Sequence, residues 1–289
     1  MLILITKRLE TPVLARINDR DIFYRTLGRG LPLMLMHGGM GFDHSYFRPW
    51  LDPLAEKMQL IYYDHRGNGQ STQLDDFDGI DHRMWADDAD ALRKHLGHEK
   101  IVLLGHSAGG FVALEYALRY GKHLSGLALC CTTPAMDYPE VLMANAKAKA
   151  TPEQLPIVAG MFTTPLASNE QFHGGMEMLL PLYFKQYNPK TGSQIANAIH
   201  YNYHAINYAL STWFPVVNFL GALQEITVPT LIIGGTEDWI MPPAQGAERL
   251  HASIPGSDLE IFGNSGHFPF VEEQGAFNKI IADWVGGLK

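Results

Sequence analysis

The chain has 289 residues, with 22 Lys and Arg against 30 Asp and Glu, a formal net charge of −8 and 46% hydrophobic residues. That balance fits a globular chain with enough apolar side chains for a sizeable core, and it argues against nucleic acid as a partner. The apolar stretch in MLILITKRLE is short and no run of about 18 apolar residues occurs, so neither a signal peptide nor a membrane span is expected and the cytoplasm is the expected compartment.

PVLARIN and DIFYRTLG, separated by Asn18-Asp19-Arg20, have the alternation and turn chemistry of a β-hairpin. LPLMLMHGG is a continuous apolar run, as expected of a strand covered on both faces. A helix is expected over 45–57, a strand at QLIYYD, a helix over 80–96 and a strand at IVLLGHS. FVALEYALRY is again helical in spacing and LSGLALCC extended. This alternation implies a mostly parallel sheet flanked by helices. Cys130 and Cys131 are adjacent near a strand end, where successive side chains point to opposite faces, so no disulfide is expected between them.

The rhythm breaks at Pro134. From 134 to 219 the pattern is helical and rich in Met and aromatic residues, including Met136, Met143, Met161, Met176 and Met178. Phe162, Phe172, Tyr183, Tyr187, Tyr201 and Trp213 belong to the same stretch. We read it as a helical cap inserted into a core formed by 1–133 and 220–289. The strand VPTLIIGG, a helix over 244–251, the strand SDLEIFG and a closing amphipathic helix, AFNKIIADWVGGL, complete that core.

Gly105-His106-Ser107-Ala108-Gly109 is a G-x-S-x-G pattern between a buried strand and a helix, the setting of a nucleophile elbow. With 28 Gly in the chain, chance gives roughly 0.1 such matches, so the strand–turn–helix context carries much of the weight. A serine hydroxyl needs a base, and His267 lies in a Gly/Asn/Ser loop after the last strand. An acid is expected between the two, after a strand; Asp238 in GGTEDW is preferred to its neighbour Glu237. The order Ser107, Asp238, His267 suits such a fold. Gly39, in His37-Gly38-Gly39-Met40-Gly41, and Ala108 are the expected backbone donors to an oxyanion. His37 and His106 are expected to hydrogen-bond loop backbone.

On these motifs the chain resembles the α/β-hydrolase superfamily, and in particular its branch related to proline iminopeptidases. HGGMG is similar to that branch's HGGPG, and YYDHRGNGQS, from Tyr62 to Ser71, to its YYDxRGxGxS. The resemblance implies an eight-stranded, mostly parallel sheet with a helical cap. Asp64 and Arg66 are expected to order the loop beside the cleft, with Gly67 and Gly69 making its turns. The chain departs from the branch at Met40, where proline is usual, and at Ala108, where an aromatic is common.

The expected chemistry is two-step acyl transfer without a cofactor or metal, acting on small carboxylic esters or lactones. Release of N-terminal proline is the alternative, with Glu140, Glu153, Glu170 or Glu177 available to hold an ammonium ion. A C–C hydrolase or cofactor-free haloperoxidase would share the triad, and a receptor that keeps the fold without turnover is a further reading. Met40, His106, Tyr183, Trp213 and Trp239 are candidate contacts for a small-molecule substrate bearing an apolar or aromatic group. No membrane partner is expected. His200 and His204 have i, i+4 spacing, but no third metal ligand accompanies them.

Overall fold

The computed structural model describes residues 12–161 and 163–288. The N-terminal stretch read above for targeting signals, and Phe162, lie outside the described residues. Among the described residues no helix is long and apolar enough to cross a membrane.

The strands are β1 (Val13–Ile17), β2 (Arg20–Gly28), β3 (Pro32–Met36), β4 (Gln59–Tyr63), β5 (Ile101–His106), β6 (Leu124–Cys130), β7 (Thr230–Gly235) and β8 (Asp258–Phe262). They form one eight-stranded sheet in the order β1-β2-β4-β3-β5-β6-β7-β8. β2 runs antiparallel to both β1 and β4, and every pairing from β4 across to β8 is parallel. β3, β5 and β7 are buried at every position, which is why they read as unbroken apolar runs.

Side chains alternate between two cores, one on each face. Leu33, Leu35, Val102 and Leu104 belong to one; Met34, Met36, Ile101 and Leu103 belong to the other. The second face is covered by α1 (His82–His95) and α2 (Ala108–Tyr120), through Trp85, Leu92, Phe111 and Leu114. Asp81 caps α1, its carboxylate accepting from the Arg83 and Met84 N–H groups. The expected helix over 45–57 is instead two 3-10 turns, His44–Phe47 and Asp52–Glu56. Arg48, before Pro49, is extended and ends the first turn, while Pro53 sits in the opening positions of the second, where its missing N–H is not needed.

Between β6 and β7 the chain forms α3 (Pro139–Lys149), α4 (Leu155–Met161), α5 (Asn169–Leu179), α6 (Pro189–Ala198) and α7 (Tyr203–Tyr208). The ends of this insertion meet: Phe219 N–H donates to Pro134 O at 2.9 Å. After β7 come α8 (Ala247–Ser253), α9 (Pro269–Glu272) and α10 (Gln274–Gly287). α10 covers the first face through Phe277, Ile281 and Val285. Cys130 and Cys131 are both buried and unbridged.

Candidate active site

Ser107 stands between β5 and α2 with φ 55° and ψ −126°, a left-handed conformation that a non-glycine residue adopts only under constraint. The constraint is close packing. A Cβ on Gly109 would lie 2.3 Å from Met36 O, and one on Gly38 would lie 2.6 Å from the Ser107 Cβ. Glycine at these two positions lets the β3 loop and the start of α2 approach until both flank Ser107.

His267 follows β8 and Asp238 follows β7, and both are buried. His267 Nδ1–H donates to Asp238 Oδ2 at 2.7 Å, which leaves Nε2 as an acceptor. The other carboxylate oxygen, Oδ1, accepts from the N–H groups of Ile240 at 3.1 Å and Met241 at 3.0 Å. The backbone of His267 is fixed as well, its N–H donating to the cap residue Tyr183 O at 2.7 Å. Glu237, the neighbouring carboxylate, is exposed.

Ser107 and His267 line one cavity of about 90 Å³, together with Gly39 and Ala108. Ala108 opens α2, where a helix has no preceding turn to accept its N–H. The glycine loop is pinned on either side of Gly39: Gly38 N–H donates to Tyr46 Oη at 2.6 Å and Gly41 N–H to Asn68 Oδ1 at 2.5 Å.

His106 carries a chain of consistent polarity. Tyr46 Oη accepts from Gly38 N–H and donates to His106 Nδ1 at 2.8 Å, and His106 Nε2–H donates to His267 O at 2.9 Å. Burial, with His267 beside it, pushes the His106 ring well below its ordinary pKa, so it stays neutral and can act as donor and acceptor at once. Its ring faces the cavity, yet both nitrogens are engaged; it holds the glycine loop against the His267 loop rather than offering a polar contact to substrate. Tyr46 has no local signal in the sequence, where nothing distinguishes it from the other tyrosines.

His37 Nδ1–H donates to Gly38 O at 3.0 Å, while its Nε2 accepts from His65 N–H at 3.1 Å. Asp64 accepts from His44 N–H at 3.0 Å, His44 Nδ1 at 2.6 Å and Gln70 N–H at 2.9 Å. Arg66 pairs with Asp88 of α1 at 2.7 Å and Asp19 of the hairpin turn at 2.8 Å. In the Arg66–Asp88 pair both partners are buried, and removing one partner of such a pair typically costs about 3–5 kcal/mol. Gly67 and Gly69 take φ 77° and 55° in the turns of this loop.

Three expected substrate contacts lie elsewhere. Met40 is wholly buried, in the core that α2 also lines. Trp213 is sandwiched among Trp85, Phe111 and His82, donating its indole N–H to His82 Nδ1 at 2.8 Å. Trp239 packs edge-on against Tyr183 behind the cavity wall. Tyr183 does line the cavity, and burial raises its hydroxyl pKa well above the ordinary value. Of the cap residues named earlier, Met136, Met161, Phe172 and Met176 are walls, whereas Met178 is exposed.

His200 and His204 do not share a helical turn, because α7 begins only at Tyr203. His200 donates to the buried Asp43 at 2.7 Å, and His204 faces Asp75 at 3.8 Å. Cys131, Asp238 and His267 bring potential ligand atoms within 4.8 Å of one another. With His267 Nδ1 carrying the proton it donates to Asp238, that nitrogen has no lone pair to offer an ion among these three. Two further cap–core links flank the site. Asn202 Nδ2 donates to Gly67 O at 2.8 Å and Leu74 O at 3.0 Å, and Glu272 accepts from the N–H groups of Lys185 and Gln186 in the cap.

Residues 32–274 match the family model for the alpha/beta hydrolase fold. A proline iminopeptidase of Lactobacillus delbrueckii subsp. lactis is 30% identical over 273 residues, covering 88% of this chain and 90% of that protein. A thermophilic esterase from Thermogutta terrifontis superposes with a TM-score of 0.74 at 24% identity, over 97% of this chain and 99% of the other. The enol-lactonase from Burkholderia xenovorans superposes with a TM-score of 0.77 at 22% identity, over 95% and 100%.

Proposed function

The chain belongs to the α/β-hydrolase family and is related to proline iminopeptidases, and from that premise we propose that it is a serine carboxylic-ester hydrolase for neutral substrates with an apolar acyl group. Ser107 Oγ attacks the ester carbonyl while His267 Nε2 takes its proton, and Asp238 stabilises the imidazolium that forms. The Gly39 and Ala108 N–H groups hold the tetrahedral oxyanion, each donor contributing about 3 kcal/mol. Collapse breaks the carbonyl–oxygen bond to the leaving alcohol, which receives the proton from His267. Water, activated by the same nitrogen, then attacks the acyl-enzyme and releases the acid and Ser107.

One observation carries this reading. The cavity above Ser107 is walled by Met136, Met161, Phe172, Met176, Ile206 and Leu210 from the cap, and among the described residues no carboxylate lines it. Glu140, Glu153, Glu170 and Glu177 are all exposed on the cap surface. Asp137 fringes a separate recess and is paired with Arg249 at 2.6 Å. An N-terminal ammonium brought into the cavity would lose its hydration without gaining a counter-charge, at a cost of several kcal/mol.

The second reading, removal of N-terminal proline, is favoured by the 30% identity to a proline iminopeptidase. The two are separated by kcat/KM for p-nitrophenyl butyrate and for proline p-nitroanilide, with Ser107→Ala as the blank. The ester is expected to exceed the arylamide by at least about a hundredfold, in keeping with the cost of an unpaired buried charge. Efficient arylamide cleavage, with weak ester turnover, would replace the first reading by the second.

A further inference from the structure

The catalytic cavity, about 90 Å³, has a larger neighbour of about 310 Å³ inside the cap. Met161, Phe172, Met176, Ile206 and Leu210 line both, so these side chains form a shared wall between the two. We infer that the cap recess is the binding site for the distal part of an unbranched acyl chain, which makes medium-chain esters rather than short ones the substrate class. The inference rests on the esterase reading above.

Its chemistry is that of a hydrocarbon site. Pro156, Ile157, Leu166 and Leu179 complete much of the wall. Of the polar side chains at its edge, Asn207 is engaged at both ends and Gln171 through its oxygen. Asn207 accepts from Leu166 N–H and donates to Leu166 O, both at 2.8 Å, and Gln171 Oε1 accepts from Ala167 N–H at 2.7 Å. Thr164 and Gln171 are exposed at its edge, beside the apolar walls. The partition suits passage of a chain, because methionine is unbranched with three rotatable bonds and adapts to irregular apolar shapes.

Two half-buried glycines on the wall of this recess have room for a larger side chain. Gly160 of α4 and Gly175 of α5 both line it, and a Cβ at either would meet nothing within 4 Å. A third recess, about 640 Å³, also adjoins the catalytic cavity through Met136, Leu210 and Phe214. Its rim carries the Asp137 carboxylate, paired with Arg249 at 2.6 Å, and it shares three wall residues with the catalytic cavity where the recess behind Met176 shares five.

The test compares kcat/KM for p-nitrophenyl decanoate and p-nitrophenyl butyrate in the wild type, Gly160→Leu, Gly175→Leu and Ala159→Phe, the last filling the third recess. The wild type is expected to handle decanoate at least as well as butyrate. Each glycine substitution should lower the decanoate-to-butyrate ratio at least about tenfold, the effect of expelling about two methylene groups. Ala159→Phe should leave that ratio at the wild-type value. The inference is overturned if the wild type cleaves butyrate but not decanoate, if the ratio survives both glycine substitutions, or if only Ala159→Phe lowers it; the esterase reading stands in all three cases. Should neither ester be hydrolysed, the esterase reading fails, and decanoate binding to Ser107→Ala is then measured by calorimetry. Binding that the added Gly175→Leu abolishes supports the tail site, and no binding overturns it.

Discussion

Replacing Asp238 by asparagine isolates what the carboxylate does for His267, because the geometry dictates how the amide must sit. Asp238 Oδ1 accepts two backbone N–H groups, from Ile240 at 3.1 Å and Met241 at 3.0 Å. Only an oxygen can accept from both, so in Asp238→Asn the amide oxygen takes that place and the NH2 group points at His267 Nδ1. That nitrogen, 2.7 Å from the carboxylate in the native protein, must then become an acceptor. The proton moves to Nε2, and the ring can no longer accept one from Ser107. A wrong tautomer of this kind, in a serine protease, costs about 10,000-fold in kcat, or about 5.4 kcal/mol. We expect a loss of that order for p-nitrophenyl butyrate at neutral pH, with the melting temperature little changed because shape and both backbone bonds are kept. Glu237→Gln, at an exposed neighbour, should leave kcat within about twofold of wild type. An Asp238→Asn enzyme within about tenfold of wild type, or a crippled Glu237→Gln, would refute the assignment.

Two other outcomes follow from local geometry. Ser107 holds φ 55°, so Ser107→Gly should lose at least about 10³-fold in kcat, as Ser107→Ala does, while releasing strain of about 1 kcal/mol and melting about 2 °C above Ser107→Ala; a glycine variant melting at or below the alanine variant contradicts the strained elbow. The His200–Asp43 contact should make cap attachment pH-dependent. The hydrogen bond to Asp43 raises the His200 pKa above 6.5, so its contribution is complete below that value and is lost as pH rises through the raised one. Burial would raise the Asp43 carboxyl, but the His200 hydrogen bond and nearby His44 hold it below 3.8, so its contribution is present above that value and is lost as pH falls through the lowered one. Asp64 and Arg25 also face His200, acting in opposite directions. The melting temperature difference between wild type and His200→Ala should therefore be widest between these limits and narrow in alkaline solution; a difference constant across pH removes the clasp.

The central strands were readable because helices cover both faces of the sheet, which leaves β3, β5 and β7 no polar position to break the apolar run. The candidate site residues were readable for a related reason. Ser107, Asp238 and His267 each sit just beyond a strand, where a glycine-containing turn marks the change of direction. In the 45–57 segment the apolar spacing suggested one helix, but Pro49, with Arg48 extended before it, divides the segment into two 3-10 turns, so local chemistry overrode periodicity.

What the sequence by itself determined was the fold, the family and the chain order of the candidate triad, because strand burial, turn chemistry and motif spacing are properties of consecutive residues. Only the tertiary structure decided which side chains reach the cavity. Met40 and Trp213 have the composition of a binding site yet pack into the core, while Tyr46, unremarked in the sequence, joins the glycine loop to His106. Tertiary packing also put the cap glutamates on the surface and the methionines over Ser107. Each depends on which face of a short cap helix meets the core, and that is fixed by contacts between segments more than a hundred residues apart, such as Asn202 on Gly67 and Tyr208 on Ile80.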